Sequence, residues 1–104
     1  MKKIEENLSY LIKHHKDIYD AYQNYGKVIH EEGGPLDEKT RALMKVVISA
    51  TCDYEYALRT HIKKAIKLGC TIEELEHAIL LIAPTAGFPK MMGSLMIFRE
   101  EAEL

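Results

Sequence analysis

The sequence predicts an all-α fold of about five helices, and three observations predict it. Apolar residues recur at a period near 3.6, and no stretch of six residues alternates strictly between apolar and polar as a half-buried strand would. Only Gly33-Gly34-Pro35 reads as a linker, because glycine frees the backbone and proline removes a hydrogen-bond donor. The balance of 47% apolar and 29% charged residues is that of a globular chain. A length of 104 residues leaves room for one domain. Residues 1–104 are therefore expected to form a single domain, with a long N-terminal oligomerisation helix over 1–33 and a helical core over 36–104.

The first helix is expected from about Ile4 to Glu31. Ile4, Leu8, Leu11, His15, Ile18, Tyr22, Tyr25 and Ile29 follow a heptad seam, in which only His15 is out of character. A rod of that length, about 40 Å at 1.5 Å per residue, outruns what a small domain can cover, so part of the seam should pack on another subunit. Four of the six tyrosines lie on this helix and fit the same role. Gly26 falls inside the pattern as a candidate bend. The second helix begins after Leu36, with Asp37 as N-cap because its carboxylate can accept an orphan backbone N–H. From Ala42 to Ala50 only Lys45 and Ser49 are polar, four residues apart, so a narrow exposed strip is expected there on an otherwise buried helix.

The third helix spans about Tyr54 to Leu68, with Arg59, Lys63, Lys64 and Lys67 on its wet face and Gly69 as a left-handed stop. Thr71 and Glu74 form a capping box at the start of the fourth. Pro84 should disturb the last turn of that helix and Gly87 end it. Pro89 suits the first turn of a fifth helix carrying Met91, Met92, Leu95, Met96 and Phe98.

Charge and composition exclude several roles. Fourteen basic against sixteen acidic residues leave a net charge of −2, which offers nothing to the phosphates that dominate nucleic-acid affinity. No apolar run is long enough to span a bilayer, and the start Met1-Lys2-Lys3-Ile4 has no signal-peptide core. Two cysteines make no disulfide framework, so the expected compartment is the cytoplasm with both thiols reduced.

Few residues carry chemistry. His61 follows Tyr54 by seven and Ala57 by four, so the three stack on one face of the third helix. An imidazole there can serve as general acid or base, or simply be a core histidine with its hydrogen bonds met. Cys52 stands at the junction of the second and third helices, where a thiol near a helix N-terminus can be activated; the alternative is a small buried hydrophobe. Cys70 reads as packing or a loop thiol. The lone Glu74-x-x-His77 lacks the second motif and extra carboxylates of a di-iron bundle. With no phosphate-cradling glycine loop and no metal-ligand spacing, neither a cofactor nor a metal is expected. Met91, Met92 and Met96 could line a ligand pocket or fill the core.

Four segments together carry a resemblance. These are Leu36-Asp37-Glu38-Lys39-Thr40-Arg41-Ala42-Leu43, the run Glu55 to Ala65, Leu68-Gly69-Cys70-Thr71-Ile72-Glu73-Glu74-Leu75, and Ala86-Gly87-Phe88-Pro89. In this order and spacing they resemble the carboxymuconolactone decarboxylase family, which includes the alkylhydroperoxidase D-like proteins. The resemblance covers roughly residues 36–100. It implies an all-α helical domain whose subunits interlock as trimers or hexamers.

The resemblance also implies two chemistries. The peroxidase branch uses Cys-x-x-Cys with a histidine four residues on and a glutamate on the preceding helix. Those positions are Tyr54, Ala57, His61 and Ala42 here, so the histidine alone is kept. Cys52, two residues before the first cysteine position, could form a sulfenic acid but no internal disulfide. The decarboxylase branch carries Glu-Leu-x-x-His, with Ala57 at the glutamate position; it needs a proton mover, met by His61, and a cation for a carboxylated substrate, met by Arg41 or Arg59. Three functions follow as expectations. One is a peroxidase-type oxidoreductase through Cys52 and His61. The second is a cofactor-free lyase through His61, with Tyr54, Ala57 and Arg41 lining the substrate site. The third is a small-molecule-binding oligomer without catalysis.

Overall fold

The computed structural model describes residues 2–104, and all regular structure among them is helical. In chain order the helices are α1 (Lys2–His14), α2 (Lys16–Glu31), α3 (Glu38–Thr51), α4 (Glu55–Lys67), α5 (Ile72–Leu80), α6 (Ile82–Ala86) and α7 (Phe88–Glu101). The all-α expectation holds, but two of the five expected helices are each broken in two. The chain forms two compact units, one ending at Pro35 and the other spanning Leu36–Leu104.

In the first unit the expected rod breaks at His15, whose φ of −140° and ψ of 49° leave the helical region. Neither proline nor glycine stands there. A single residue of a weak helix-forming type changes its backbone, while its N–H still donates to the Leu11 carbonyl at 2.8 Å. Pairs one turn apart support the helices on either side: the Tyr10 and His14 rings lie 4.4 Å apart, and Lys16 meets Asp20 at 2.6 Å. Gly26 marks no bend, since α2 runs through it to Glu31. Neither helix buries a residue, so the heptad seam is present as an exposed stripe that includes Ile18, Tyr22 and Tyr25. A Cβ on Gly33 would collide with the Ile29 carbonyl, which explains glycine just past the helix end.

In the second unit, Asp37 caps α3 as expected, its carboxylate accepting the Thr40 N–H at 2.8 Å. The core is shared by all five helices: Val46 from α3, Ile62 from α4, Leu75 and Ile79 from α5, Ile82 from α6 and Phe98 from α7 are almost wholly buried. Each such side chain contributes about 1.5–3 kcal/mol relative to an exposed one. The capping box of Thr71 and Glu74 starts α5 with both reciprocal bonds in place. The expected fourth helix stops at Leu80 and resumes at Ile82. Pro84 is the cause, because its ring clashes with the carbonyl four residues back, which is Leu80, and it offers no N–H to that carbonyl.

Three helices of this unit end the same way. After α3, the Tyr54 N–H donates to Ser49 and the Asp53 N–H to Ala50. After α4, Cys70 and Gly69 donate to Ala65 and Ile66, and after α7, Leu104 and Glu103 donate to Arg99 and Glu100. These are Schellman closures, and each puts one residue in the left-handed region. Gly69 fills it at φ 94°, but Asp53 at 58° and Glu103 at 59° do so with a side chain.

The expected exposed strip of α3 is not the one found. Ser49 is buried and Lys45 half-buried, whereas Met44 is 48% and Ile48 56% exposed. α3 packs on α4, α5 and α7 at once, and the small serine sits on the side those neighbours crowd. The larger apolar side chains are left beside Leu43, Val47, Ala78 and Leu81, where they line an apolar trough of about 300 Å³.

Candidate functional site

The short turn Cys52-Asp53-Tyr54 folds α4 back on α3, and these two helices make the most extensive packing in the molecule. The buried stripe of α4 is Leu58, Ile62 and Ala65. Tyr54, Ala57, His61 and Lys64 lie one step round from it, at helical spacing along a single margin. Ala57 and His61 are half-buried there and Tyr54 is 62% exposed. The stacking expected from the sequence therefore runs along the edge of the core, not through it.

The facing margin of α3 carries Arg41, Lys45 and Cys52 at spacings of four and seven. Arg41 is half-buried and donates from its guanidinium to the Leu36 carbonyl. Burial first, then the neighbouring cations of Lys64 and Arg41, hold the Lys45 ammonium below its ordinary pKa. That electrostatic link ties the two margins together. Arg41 and Lys45 from one helix and Lys64 from the other gather positive charge on the strip that holds His61. Lys45 and Lys64 are not among the candidates that the sequence analysis names. The signal was available: Lys45 is the cation in an apolar run, and Lys64 follows His61 by one turn.

Arg59 is committed elsewhere. It holds Glu101 at 2.9 Å and Glu100 at 2.9 Å, tying α4 to α7, with Lys63 at 3.4 Å from Glu101 and Glu55 at 3.8 Å from Arg59. These carboxylates raise the guanidinium's pKa, and the Arg59 hydrogen bond lowers that of Glu101. Of the two arginines, Arg59 is thus held in an ion-pair network between α4 and α7, and Arg41 lies on the α3 margin.

The two thiols differ in exposure, and of the alternatives open for each, Cys52 is not the buried one and Cys70 is packed. Cys52 is exposed and Cys70 buried. Cys52 stands at the C-terminal cap of α3, and the first turn of α4, where helix N–H groups could activate a thiol, begins after Tyr54. Cys70 touches the Lys39 carbonyl at 3.8 Å, and burial pushes its thiol pKa up. Of the methionines, Met91 is in the core and Met92 and Met96 are on the surface. Among the described residues, no three His, Cys, Asp or Glu side chains gather closely enough to hold a metal ion, and no helix is long and apolar enough to cross a membrane.

The sequence pattern of the carboxymuconolactone decarboxylase family matches residues 16–100. Its first matched residue is the first residue of α2, so the match takes in that helix as well as the second unit. An uncharacterized protein of Methanocaldococcus jannaschii is 29% identical over 97 residues, which is 93% of this chain and 90% of that protein. A second uncharacterized protein of the same organism is 27% identical over 97 residues, covering 91% of each. No solved structure matches the sequence. With the matched pattern spanning most of the chain, and with Tyr54 and Ala57 where a Cys-x-x-Cys would stand, this protein belongs to the carboxymuconolactone decarboxylase family and lacks its thiol pair.

Proposed function

We propose that the protein is a cofactor-free lyase acting on a small carboxylated substrate in the seam between α3 and α4. One observation carries the reading: Arg41, Lys45 and Lys64 bring positive charge from two helices onto the strip that holds His61. Guanidinium and ammonium groups hold carboxylates by charge-assisted hydrogen bonds. Tyr54 and Ala57 lie along the same strip as the imidazole. In the step envisaged, the bond from the reacting carbon to a carboxylate breaks and carbon dioxide leaves. The electron pair stays on that carbon, delocalised into an adjacent carbonyl, and the His61 imidazolium delivers the proton. A positioned acid of this kind is worth typically 10²–10⁴-fold in rate.

Carbon dioxide release from a panel of carboxylated lactones and β-keto acids tests this. His61→Asn should lower kcat by about 100-fold or more, and Lys45→Gln should raise KM. Turnover unchanged in His61→Asn removes the lyase reading. Saturable binding of the acids without turnover in the wild type leaves a binding protein instead.

A second reading rests on the exposure of Cys52. Its thiolate would attack a hydroperoxide O–O bond, forming a sulfenic acid and releasing the alcohol; one external thiol would condense with it to a mixed disulfide and water, and a second would free Cys52 and leave as the external disulfide. Loss of hydroperoxide reduction in Cys52→Ser supports this, and unchanged reduction removes it.

We further propose that the protein works as a homo-oligomer, a trimer or hexamer, in the cytoplasm. The exposed seam that includes Ile4, Leu8, Ile18, Tyr22, Tyr25 and Ile29 and the trough at Met44 and Ile48 support association, and two unpaired cysteines favour a reducing compartment.

A further inference from the structure

A second cavity, of about 280 Å³, opens where the α3–α4 turn meets the face of α7. It shares only Tyr54 with the strip of His61. Its floor is apolar, made by Ala50, Leu58 and Ile97, and all three are buried. Two buried serines add polarity. The Ser94 hydroxyl donates to the Lys90 carbonyl at 2.8 Å, so its oxygen can only accept towards the cavity. The Ser49 hydroxyl can rotate to give or to take.

Lys90, the one cation on the lining, is matched by Asp53 at 2.5 Å. Glu55 shares Arg59, at 3.8 Å, with Glu100 and Glu101. No spare cation faces the cavity, so an anion entering it would be stripped of water without a counter-charge to replace it.

Gly93 supplies an independent sign that the space is kept open. It stands in the interior of α7, where glycine costs about 1 kcal/mol relative to alanine. A Cβ there would meet nothing within 4 Å, so no close packing requires the glycine. Its missing side chain widens the cavity it lines.

We infer that this cavity binds a small uncharged molecule with an apolar body and a single hydroxyl, the hydroxyl exchanging hydrogen bonds with Ser49 and Ser94. A volume at the lower edge of the roughly 300–1,000 Å³ usual for small-molecule sites limits the ligand to fragment size. Charge separates it from the seam of Lys45, which is built for anions.

Titration of the ¹⁵N-labelled protein with cyclohexanol and with cyclohexanecarboxylate tests the inference by NMR. Cyclohexanol should give saturable shifts at the amides of Ser49, Asp53 and Ser94, with the carboxylate at least tenfold weaker at those amides. Gly93→Leu should abolish the shifts. If that variant fails to fold, Ser49→Ala serves, with an expected loss of roughly five- to tenfold in affinity, the worth of one hydrogen bond. His61→Asn should bind cyclohexanol as the wild type does, so a failed lyase leaves the cavity untouched. Absent saturation, wild-type affinity in Gly93→Leu or Ser49→Ala, or equal binding of the carboxylate at these amides overturns it.

Discussion

At the scale of single residues, two side chains show what α3 and the turn after it tolerate. Lys45 is held below its ordinary pKa by burial and by two neighbouring cations. The folded protein therefore disfavours its charged form. The penalty is full at neutral pH, shrinks as pH rises through the folded pKa, and vanishes above the ordinary 10.5. Lys45→Met should raise the melting temperature at pH 7, and its advantage should narrow as pH approaches 10.5. A constant difference, read by circular dichroism, would remove the charge explanation. Asp53 holds the left-handed position that Gly69 fills at the end of the next helix. Both Asp53→Gly and Asp53→Ala lose the Lys90 contact, but only glycine relieves the backbone. The glycine variant should be the more stable by about 1 kcal/mol in urea unfolding.

The element scale separates what the sequence discloses from what it hides. Caps and stops were legible because each is a local chemical event: Asp37 bonds Thr40, Thr71 pairs with Glu74, and Gly69 adopts a positive φ. The break at His15 was not, because the heptad spacing runs on through it and neither proline nor glycine stands there, so an out-of-character histidine read only as a contact residue. Pro84 announced a disturbance, yet where the gap falls depends on its clash one turn back, at Leu80. The site was half legible. His61, Tyr54 and Ala57 lie along one margin of α4, as helical spacing places them, while Arg41 entered only through the resemblance and lies on α3. Lys64 is readable from its place one turn after His61, whereas Lys45 joins it only when the two helices pack, a non-local fact. Arg59 was equally hidden, since its partners lie more than forty residues away on α7. That clamp carries its own pH dependence. Glu101 has a lowered pKa, so its share of stability is present above the ordinary carboxylate value of 4.5 and is lost as pH falls through the folded value. Glu101→Gln should flatten the acid limb of the stability curve below about pH 4.5, and a limb as steep as the wild type's would assign it to other carboxylates.

For the whole molecule, the distribution of apolar surface points outward. The first unit buries no residue of either helix, while the second has a closed core and an apolar trough on its flank. Monomeric proteins seldom leave contiguous apolar surface of this kind uncovered. Ile48→Glu, at an exposed position on the rim of that trough, should lower the assembly state seen by analytical ultracentrifugation while helix content stays unchanged. An unaltered sedimentation profile would move the contact to the N-terminal seam, where Tyr22→Glu is the matching test.

The crowding of Arg41, Lys45 and Lys64 has a practical edge. Polyvalent buffer salts such as citrate and phosphate are the natural tenants of such a place, and would both steady the protein against heat and compete with anything else drawn there. Assays run in zwitterionic buffers, with chloride as the only simple anion, keep that tenancy vacant for the molecule under test.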